Sequence, residues 1–275
     1  MAALDAEPEP ADVHGGIDTD LAHAIRVLAS ITAGSQGERM GALAADEADE
    51  ALQRSELLRR LEARAPSLVR GPLDRREQLW VSAGSKAPPA AAAVVPPGDT
   101  DRATAKPLRG GLFTSTAELG TWGMWWCYLE LHRGSTLFPP PWTAWRLDVA
   151  PDARVREVAS AADWAALLAD VGRGSGGVLR PDWTAAAAEW DGVHVTLRAV
   201  AATQGFAVAV RAGAAAPAYW DVESTLWLRW RFGGVAELGS WDGGPAPQSP
   251  RPRLSAPGPH SQIAEHHGRR RSSKP

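Results

Sequence analysis

Residues 154–171, RVREVASAADWAALLADV, place a strand directly before a capped helix and decide the fold class. Residues 154–158 alternate in polarity with period two, as half-buried strands do. Ser160 is a preferred N-cap residue, and the helix predicted over 161–171 repeats its apolar side chains at helical spacing, at Trp164, Leu167, Leu168 and Val171. This stretch therefore predicts a strand and a helix joined by a short turn.

The sequence on either side continues the mixture of strands and helices. A second short helix is predicted over 183–190, where Asp182 stands at its N-cap, and an aromatic helix over 122–131. The remaining strand-like segments are 78–82, 111–116, 144–149, 193–200, 206–211 and 220–231. A few helices intercalated among these strands indicate an α+β fold, not a doubly wound parallel sheet.

Tryptophan locates the folded domain. The chain has 275 residues and 13 tryptophans, none of them in 1–79 and twelve between Trp122 and Trp241. Tryptophan needs a large apolar environment and a partner for its indole N–H, so it accumulates in a core or an aromatic-lined cleft. We therefore interpret 71–242 as a Trp-rich α+β domain and as the candidate location of any binding or catalytic site.

The N-terminal part of the chain is acidic and weakly amphipathic. Residues 1–70 carry 13 acidic and 7 basic side chains. One helix is predicted after a cap at Asp18 to Asp20, with Leu21, Ile25 and Leu28 on one face, and another over 42–65 with a narrow leucine stripe. We interpret 1–70 as an acidic helical extension, partly disordered, that packs on the main domain, binds a partner or stays solvated.

The C-terminal tail has the opposite charge. Residues 243–275 contain 1 acidic and 6 basic side chains and almost no apolar ones, so a disordered, basic Pro/Arg-rich segment is predicted. Its Arg269–Arg271 cluster either contacts nucleic acid or another acidic partner, or is a solvated terminus.

Several classes of protein are excluded by what the sequence lacks. Cys127 is the only cysteine, which rules out an intramolecular disulfide and a cysteine-rich zinc site. The chain has no apolar run long enough for a membrane span and no secretory signal, so we expect a cytoplasmic protein with no membrane partner. Metal-ligand spacing and the common nucleotide and nucleophile motifs are missing, and His194 and Cys127 are interpreted as structural residues.

Two polar patterns remain as candidates for chemistry. Residues 111–116, GLFTST, form a hydroxyl-bearing strand directly before the aromatic helix. Residues 219–225, YWDVEST, place Asp221 and Glu223 on one face of a predicted strand, since alternate residues point the same way. Two carboxylates this close suit a cleft better than a core, because shielding from water penalises their like charges. Hydroxyls from a neighbouring strand would be suited to orient one of them.

These patterns resemble the motifs of the ADP-ribosyltransferase superfamily. GLFTST over 111–116 is similar to the family's Ser/Thr-triplet strand, and Asp221-Val222-Glu223 is similar to its late acid-x-Glu strand. LWVSAG over 79–84 stands where the family's first motif would, but it lacks the usual His or Arg, and the triplet is Thr-Ser-Thr in place of Ser-Thr-Ser. The resemblance spans about 75–232.

The resemblance implies an ADP-ribosyltransferase-like split β-sheet core with NAD as substrate and no metal. Glu223 would stabilise charge on the ribose, Ser115 would position Glu223, and Asp221 would orient the acceptor, which is a protein, a nucleic acid, a small molecule or water. Phe113 or Trp126 would stack on nicotinamide, and the backbone of Trp80 to Ser82 would hold its amide. The residues that the resemblance assigns to NAD binding are Trp80, Ser82, Gly111, Phe113, Thr114, Thr116 and Trp126.

A simpler interpretation accounts for the same residues. The hydroxyls are ordinary strand formers, Asp221 and Glu223 lie on a solvated strand face, and the tryptophans are core. The alternative to a transferase is then a non-catalytic interaction protein, in which a Trp-rich α+β scaffold carries acidic helices and a basic tail that engage partners. Another enzyme class is a third possibility.

Overall fold

The computed structural model describes residues 20–28, 42, 44–53, 55–94, 105–107, 110–117, 123–175, 177–211 and 213–242. The predicted cap at Asp18 and Thr19 and the basic tail over 243–275 lie outside this part of the chain. The helices are α1 (20–28), α2 (Ala45–Gln53), α3 (Glu56–Arg64), α4 (Pro66–Arg70), α5 (Gly123–Leu131), α6 (Ala161–Val171), α7 (Trp183–Glu189) and α8 (Leu197–Thr203).

Side-chain caps determine where several helices begin. Ser160 accepts a hydrogen bond from the amide N–H of Asp163 at the start of α6, and Asp182 accepts from Thr184 and Ala185 at the start of α7. Such a cap satisfies N–H groups that have no partner within the helix. The helix predicted over 161–171 is confirmed, and the one predicted over 183–190 ends one residue earlier.

The strands form two sheets and make the protein an α+β fold. A seven-stranded sheet has the order β11-β3-β1-β2-β10-β7-β4, and a four-stranded sheet has the order β5-β6-β9-β8. The strands are β1 (Gln78–Ala83), β2 (Leu112–Thr116), β3 (Trp142–Val149), β4 (Val155–Val158), β5 (Gly172–Ser175), β6 (Val178–Pro181), β7 (Gly192–Val195), β8 (Val208–Val210), β9 (Gly213–Ala215), β10 (Ser224–Trp227) and β11 (Phe232–Trp241).

The large sheet is narrowly joined between β1 and β2. Strand β1 pairs with β3 through six residue pairs but with β2 through only two, Gln78 with Thr116 and Leu79 with Ser115. The carbonyl oxygen of Leu79 also accepts a hydrogen bond from the indole N–H of Trp125 on α5. From Trp80 onward, β1 is therefore paired with β3 and no longer with β2.

Three of the predicted strands are too long, and the one predicted over 206–211 is present only as Val208–Val210. The strand predicted over 193–200 ends at Val195, because Thr196 accepts a hydrogen bond from the amide of Ala199 and starts α8, whose alanines favour a helix. The strand predicted over 220–231 is present only as Ser224–Trp227. Asp221 and Glu223 therefore precede β10 instead of lying within it.

The N-terminal helices share a core with the Trp-rich domain. Buried side chains of α1, α3, α6, β7 and the segment before β10 belong to one cluster, including Leu21, Ile25, Leu28, Leu61, Trp164, Val195 and Trp220. Asp49 on α2 accepts a hydrogen bond from the amide of Ala161 and so helps to cap α6. The described helices of residues 1–70 pack on the main domain, which is one of the alternatives that the sequence left open.

Within the described residues, no helix is long and apolar enough to cross a membrane.

Truncating a leucine of α3 tests whether these helices are part of the core. Leu61 has no exposed surface, so we expect Leu61→Ala to lower the free energy of unfolding by about 2–5 kcal/mol through lost burial and an added cavity. Leu137, which is 78% exposed, provides the matched control. Leu137→Ala should change the free energy of unfolding by less than about 0.5 kcal/mol. Urea unfolding measures both. Equal effects would show that α3 does not share the core.

Candidate functional site

The carboxyl group of Glu223 lies at the centre of a buried polar network. One oxygen, Oε2, accepts from Ser115 Oγ at 2.6 Å and from the amide of Thr116 at 3.1 Å. The other, Oε1, accepts from Thr116 Oγ1 at 2.9 Å and lies 3.0 Å from His194 Nε2. A carboxylate offers about four acceptor positions, so these four donors occupy all of them. The side chain of Glu223 has no exposed surface.

Strand β2 supplies the hydroxyl donors and links them to β1. Thr116 Oγ1 accepts from Gln78 Nε2 at 3.1 Å, and Thr114 Oγ1 donates to Gln78 Oε1 at 2.6 Å. Thr114 Oγ1 also accepts from the indole N–H of Trp227 at 2.9 Å. Gln78 therefore crosses the narrow junction between β1 and β2 and binds Thr116, one of the two residues whose hydroxyls donate to Glu223.

His194 on β7 connects Glu223 to a second carboxylate. Its Nδ1 lies 2.6 Å from Glu157 Oε2, and its Nε2 lies 3.0 Å from Glu223 Oε1. The position of Glu157 follows from the parallel pairing of β4 with β7, in which Glu157 stands beside His194. The other oxygen of Glu157 accepts from the amide of Leu73 at 3.0 Å.

The two carboxylates control the charge of the imidazole. Burial disfavours the charged form of His194, but hydrogen bonds to Glu157 and Glu223, together with their negative charges, outweigh it and raise the pKa of the imidazole to about 9. Burial acts to raise the pKa of Glu157, whereas the hydrogen bond and charge of His194 and the amide of Leu73 lower it below its ordinary value. At neutral pH the imidazole of His194 is therefore protonated and lies between the two carboxyl groups.

Asp221 does not share the surroundings of Glu223. Its Oδ2 lies 2.9 Å from Lys106 Nζ, and both side chains are about a quarter exposed. Burial and the charge of Asp221 raise the pKa of Tyr128 to about 12. The prediction that Asp221 and Glu223 form a pair on one strand face is wrong, because both residues lie before the first residue of β10 and each has its own partners.

The other predicted site residues differ in their surroundings. Phe113 meets Trp220 edge to face, with ring centroids 5.7 Å apart. Ser82 Oγ is buried, donates to the carbonyl of Ser85 and accepts from the indole of Trp145. Trp80 packs in the apolar cluster around Trp227 and Phe232. The side chain of Trp126 lies outside the described part of the chain.

Gly111 stands at a position that only glycine fits. Its φ is +77°, and a Cβ atom there would lie 2.4 Å from Leu226 Cδ1 on the neighbouring strand β10. Because β2 and β10 pair through Phe113 and Leu226, this close approach helps to bring the hydroxyls of β2 next to Glu223.

The sequence predicted that Ser115 and Thr116 lie beside Glu223, but it did not predict three other residues of the network. Gln78, Glu157 and His194 are far apart in sequence, and only the pairing of β1, β2, β10, β7 and β4 joins them. His194, interpreted as structural because it stands alone in its segment, contacts two carboxylates. The available signal was a polar side chain at a core-facing position in each of the strand-like segments.

No protein-family model, curated protein or solved structure matches the chain. Among the described residues, no group of three or more His, Cys, Asp or Glu side chains is arranged to hold a metal ion. The case for a function therefore rests on the geometry of the network around Glu223.

The charge on His194 makes stability depend on pH. Its pKa is raised from 6.5 to about 9 on folding, so its contribution is complete below about pH 6.5 and is lost as the pH rises towards 9, by up to about 1.4 kcal/mol per pH unit. We expect the free energy of unfolding to fall over this range. Urea unfolding at pH 6, 7, 8 and 9 measures it.

Two variants assign this loss to one residue. His194→Gln should be less stable at pH 6 and should no longer lose stability between pH 6.5 and 9. His132→Gln, which removes a histidine that packs between Tyr128 and Phe138, should keep the loss. A loss that persisted in His194→Gln would contradict the assignment.

Proposed function

We propose that the protein cleaves the nicotinamide–ribose bond of NAD and transfers ADP-ribose to an acceptor, which includes water. The observation that carries the proposal is the hydrogen bond from Ser115 to Glu223, 2.6 Å long, between two residues 108 positions apart. It joins the strand with the Ser/Thr triplet to the acid-x-Glu segment, as expected of a carboxylate positioned by hydroxyls.

The arrangement of the strands gives further support. Strands β1, β2 and β10, which follow or contain the three candidate motifs, are consecutive neighbours in the large sheet. The early end of the β1–β2 pairing, at Leu79 and Ser115, leaves the later residues of β1 without β2 beside them. In the proposal, the backbone from Trp80 to Ser82 binds the nicotinamide amide at this divergence, and Phe113 with Trp220 forms an aromatic wall.

A fixed carboxylate is suited to this reaction. When the bond between ribose C1′ and the nicotinamide nitrogen breaks, its electron pair leaves with neutral nicotinamide and positive charge develops on the ribose, as in glycoside hydrolysis. Glu223 stabilises that charge and accepts a hydrogen bond from a ribose hydroxyl, and it need not act as a nucleophile. The acceptor then attacks C1′ and loses a proton, for which Asp221 is the proposed base.

Substrate binding must change the contacts of Glu223. All four acceptor positions of its carboxylate are occupied, and the sulfur of Met124 on α5 lies 3.2 Å from its backbone nitrogen. A ribose hydroxyl therefore has to replace one donor. The hydroxyl of Ser115 is the donor best able to yield, because it rotates about χ1, whereas Thr116 Oγ1 is also bound by Gln78 and the backbone amide stays in place.

Replacing the carboxylate tests the proposed reaction. We expect Glu223→Gln to lower the rate of NAD cleavage by a factor of about 10²–10³ or more, because a neutral amide no longer stabilises positive charge. Ser115→Ala should cause a smaller decrease. Nicotinamide release from wild-type protein and from both variants is the measurement, with circular dichroism to verify the fold.

An exposed glutamate on the same sheet provides the control. Glu237 lies on β11 and is exposed, so Glu237→Gln should cleave NAD at the wild-type rate. Undiminished cleavage by folded Glu223→Gln would overturn the assignment of the site.

One observation favours the second candidate, a non-catalytic interaction protein. Glu223 is completely buried and its hydrogen bonds are satisfied, which is also how a structural carboxylate is held in a core. In this case the network specifies the sheet, and the acidic N-terminal helices and the C-terminal tail bind partners.

Tryptophan fluorescence distinguishes the two candidates. Trp220 lies against Phe113 next to Asp221, so NAD bound at the proposed site should quench part of the emission. We expect saturable quenching at millimolar NAD in wild-type protein and a smaller amplitude in Trp220→Phe. Neither quenching nor cleavage would leave the interaction protein as the better account.

A further inference from the structure

The side chains of Glu157, His194 and Glu223 form a hydrogen-bonded series that runs from the protein surface to the buried carboxylate of Glu223. Glu157 is about one third exposed, whereas His194 and Glu223 have no exposed side-chain surface. The links are 2.6 Å from Glu157 Oε2 to His194 Nδ1 and 3.0 Å from His194 Nε2 to Glu223 Oε1. Glu157 lies on β4, His194 on the neighbouring strand β7, and Glu223 directly before β10, which is the next strand of the sheet.

The chemistry of the partners fixes the state of His194. An ionised carboxylate only accepts hydrogen bonds, and a neutral imidazole has a single N–H to donate. With a carboxylate at each ring nitrogen, both nitrogens donate, so the imidazole is cationic. The raised pKa of His194 agrees with this arrangement.

Among the described residues, few groups contact these three side chains, and most of those groups are held in place. From β4 comes Glu157, from the segment before β10 comes Glu223, and from the segment after α4 comes Arg75, whose charge lowers the pKa of Glu157. Arg75 is itself held by hydrogen bonds to the carbonyls of Ala150 and Ala153. Met124, on α5, contributes an uncharged contact to Glu223.

The backbone after α4 packs closely against Glu157 and His194, the outer two of these three side chains. At Gly71, whose φ is +76°, a Cβ atom would lie 3.2 Å from Glu157 Oε2 and 3.8 Å from His194 Cε1. The amide of Leu73 binds the remaining oxygen of Glu157. Glu157 is therefore held from two sides, and the orientation of the His194 ring follows from it.

We propose that His194, oriented by Glu157, is the positioning residue that holds Oε1 of Glu223 in place while substrate replaces a hydroxyl donor. This rests on the proposed function, because it concerns the same carboxylate during NAD cleavage. Of the groups that bind Glu223, the hydroxyl of Ser115 rotates about χ1, whereas Thr116 Oγ1 is also bound by Gln78 and His194 has its other nitrogen bound to Glu157. His194 therefore keeps the carboxylate aligned when a hydroxyl yields.

The test changes the outer carboxylate, which does not touch Glu223. In Glu157→Gln the anion is lost and the amide oxygen still accepts from His194, while the NH2 group replaces the oxygen that accepts from Leu73, so circular dichroism verifies the fold. We expect kcat for NAD cleavage to fall roughly 10–100-fold, as when a supporting residue of a site is removed, with KM little changed. Glu189→Gln, at an exposed position on α7, is the matched control and should leave both parameters unchanged.

The pH profile separates positioning from a merely structural role. In wild-type protein, kcat should decline above about pH 9, where His194 loses its proton. In Glu157→Gln this decline should move at least about one pH unit lower, because an opposite charge beside the imidazole has been removed. In His194→Gln the decline should disappear and kcat should be low at every pH.

A spectroscopic readout accompanies the kinetics and does not depend on turnover. The ¹⁵N chemical shifts of His194 in wild-type protein at pH 7.5 should show both ring nitrogens protonated, and those of Glu157→Gln should show a lower titration midpoint. Neutral imidazole in the wild type would overturn the inference.

The outcomes separate this inference from the proposed function. If wild-type protein fails to cleave NAD, the proposed function is wrong and the positioning role falls with it. If wild-type protein cleaves NAD but Glu157→Gln and His194→Gln retain its kcat and pH profile, the proposed function stands and the positioning role is overturned.

Discussion

Burial of the Glu223 carboxylate is the constraint on which the rest of the sheet depends. An ionised group removed from water is tolerated only when donors or opposite charges surround it, and removing one partner of such a group costs about 3–5 kcal/mol. Its donors come from β2 and β7, and they reach it only if both strands flank β10 in one register. A slip of one residue would turn His194 or Thr116 to the opposite face. The network and the register therefore specify each other.

The local features of the fold could be predicted from the sequence, because their signals lie within a few residues. The α6 helix has its cap at Ser160 and its apolar spacing within one short stretch, and its bounds were predicted correctly. At Thr196 the local signals conflict. The β-branched residues before it favour a strand, whereas its hydroxyl caps the helix that follows, and the prediction missed this change. Strand pairing across long separations has no comparable local signal.

The candidate site also contains some residues that could be predicted from the sequence and others that could not. A resemblance to a known arrangement predicted that Ser115 and Glu223 lie together, and the hydrogen bond between them is present. Gln78, Glu157 and His194 have no motif around them, and each joins the network through a neighbouring strand. The separate surroundings of Asp221 were missed for a related reason. Alternation along a strand predicts a shared face only where the strand exists, and β10 begins after both acids.

The composition of the network bears on whether it is only structural. A buried ion pair is often no more stabilising than apolar side chains of similar volume, so stability alone is a weak reason to keep two carboxylates and an imidazole here. The hydroxyl donor of Ser115 can also rotate away and be replaced by a hydroxyl of another molecule. His194 and Glu157 have the opposite character, because each is held at both ends. An inner carboxylate with one exchangeable hydroxyl donor and one fixed cation suits a group that must stay aligned while another of its contacts changes.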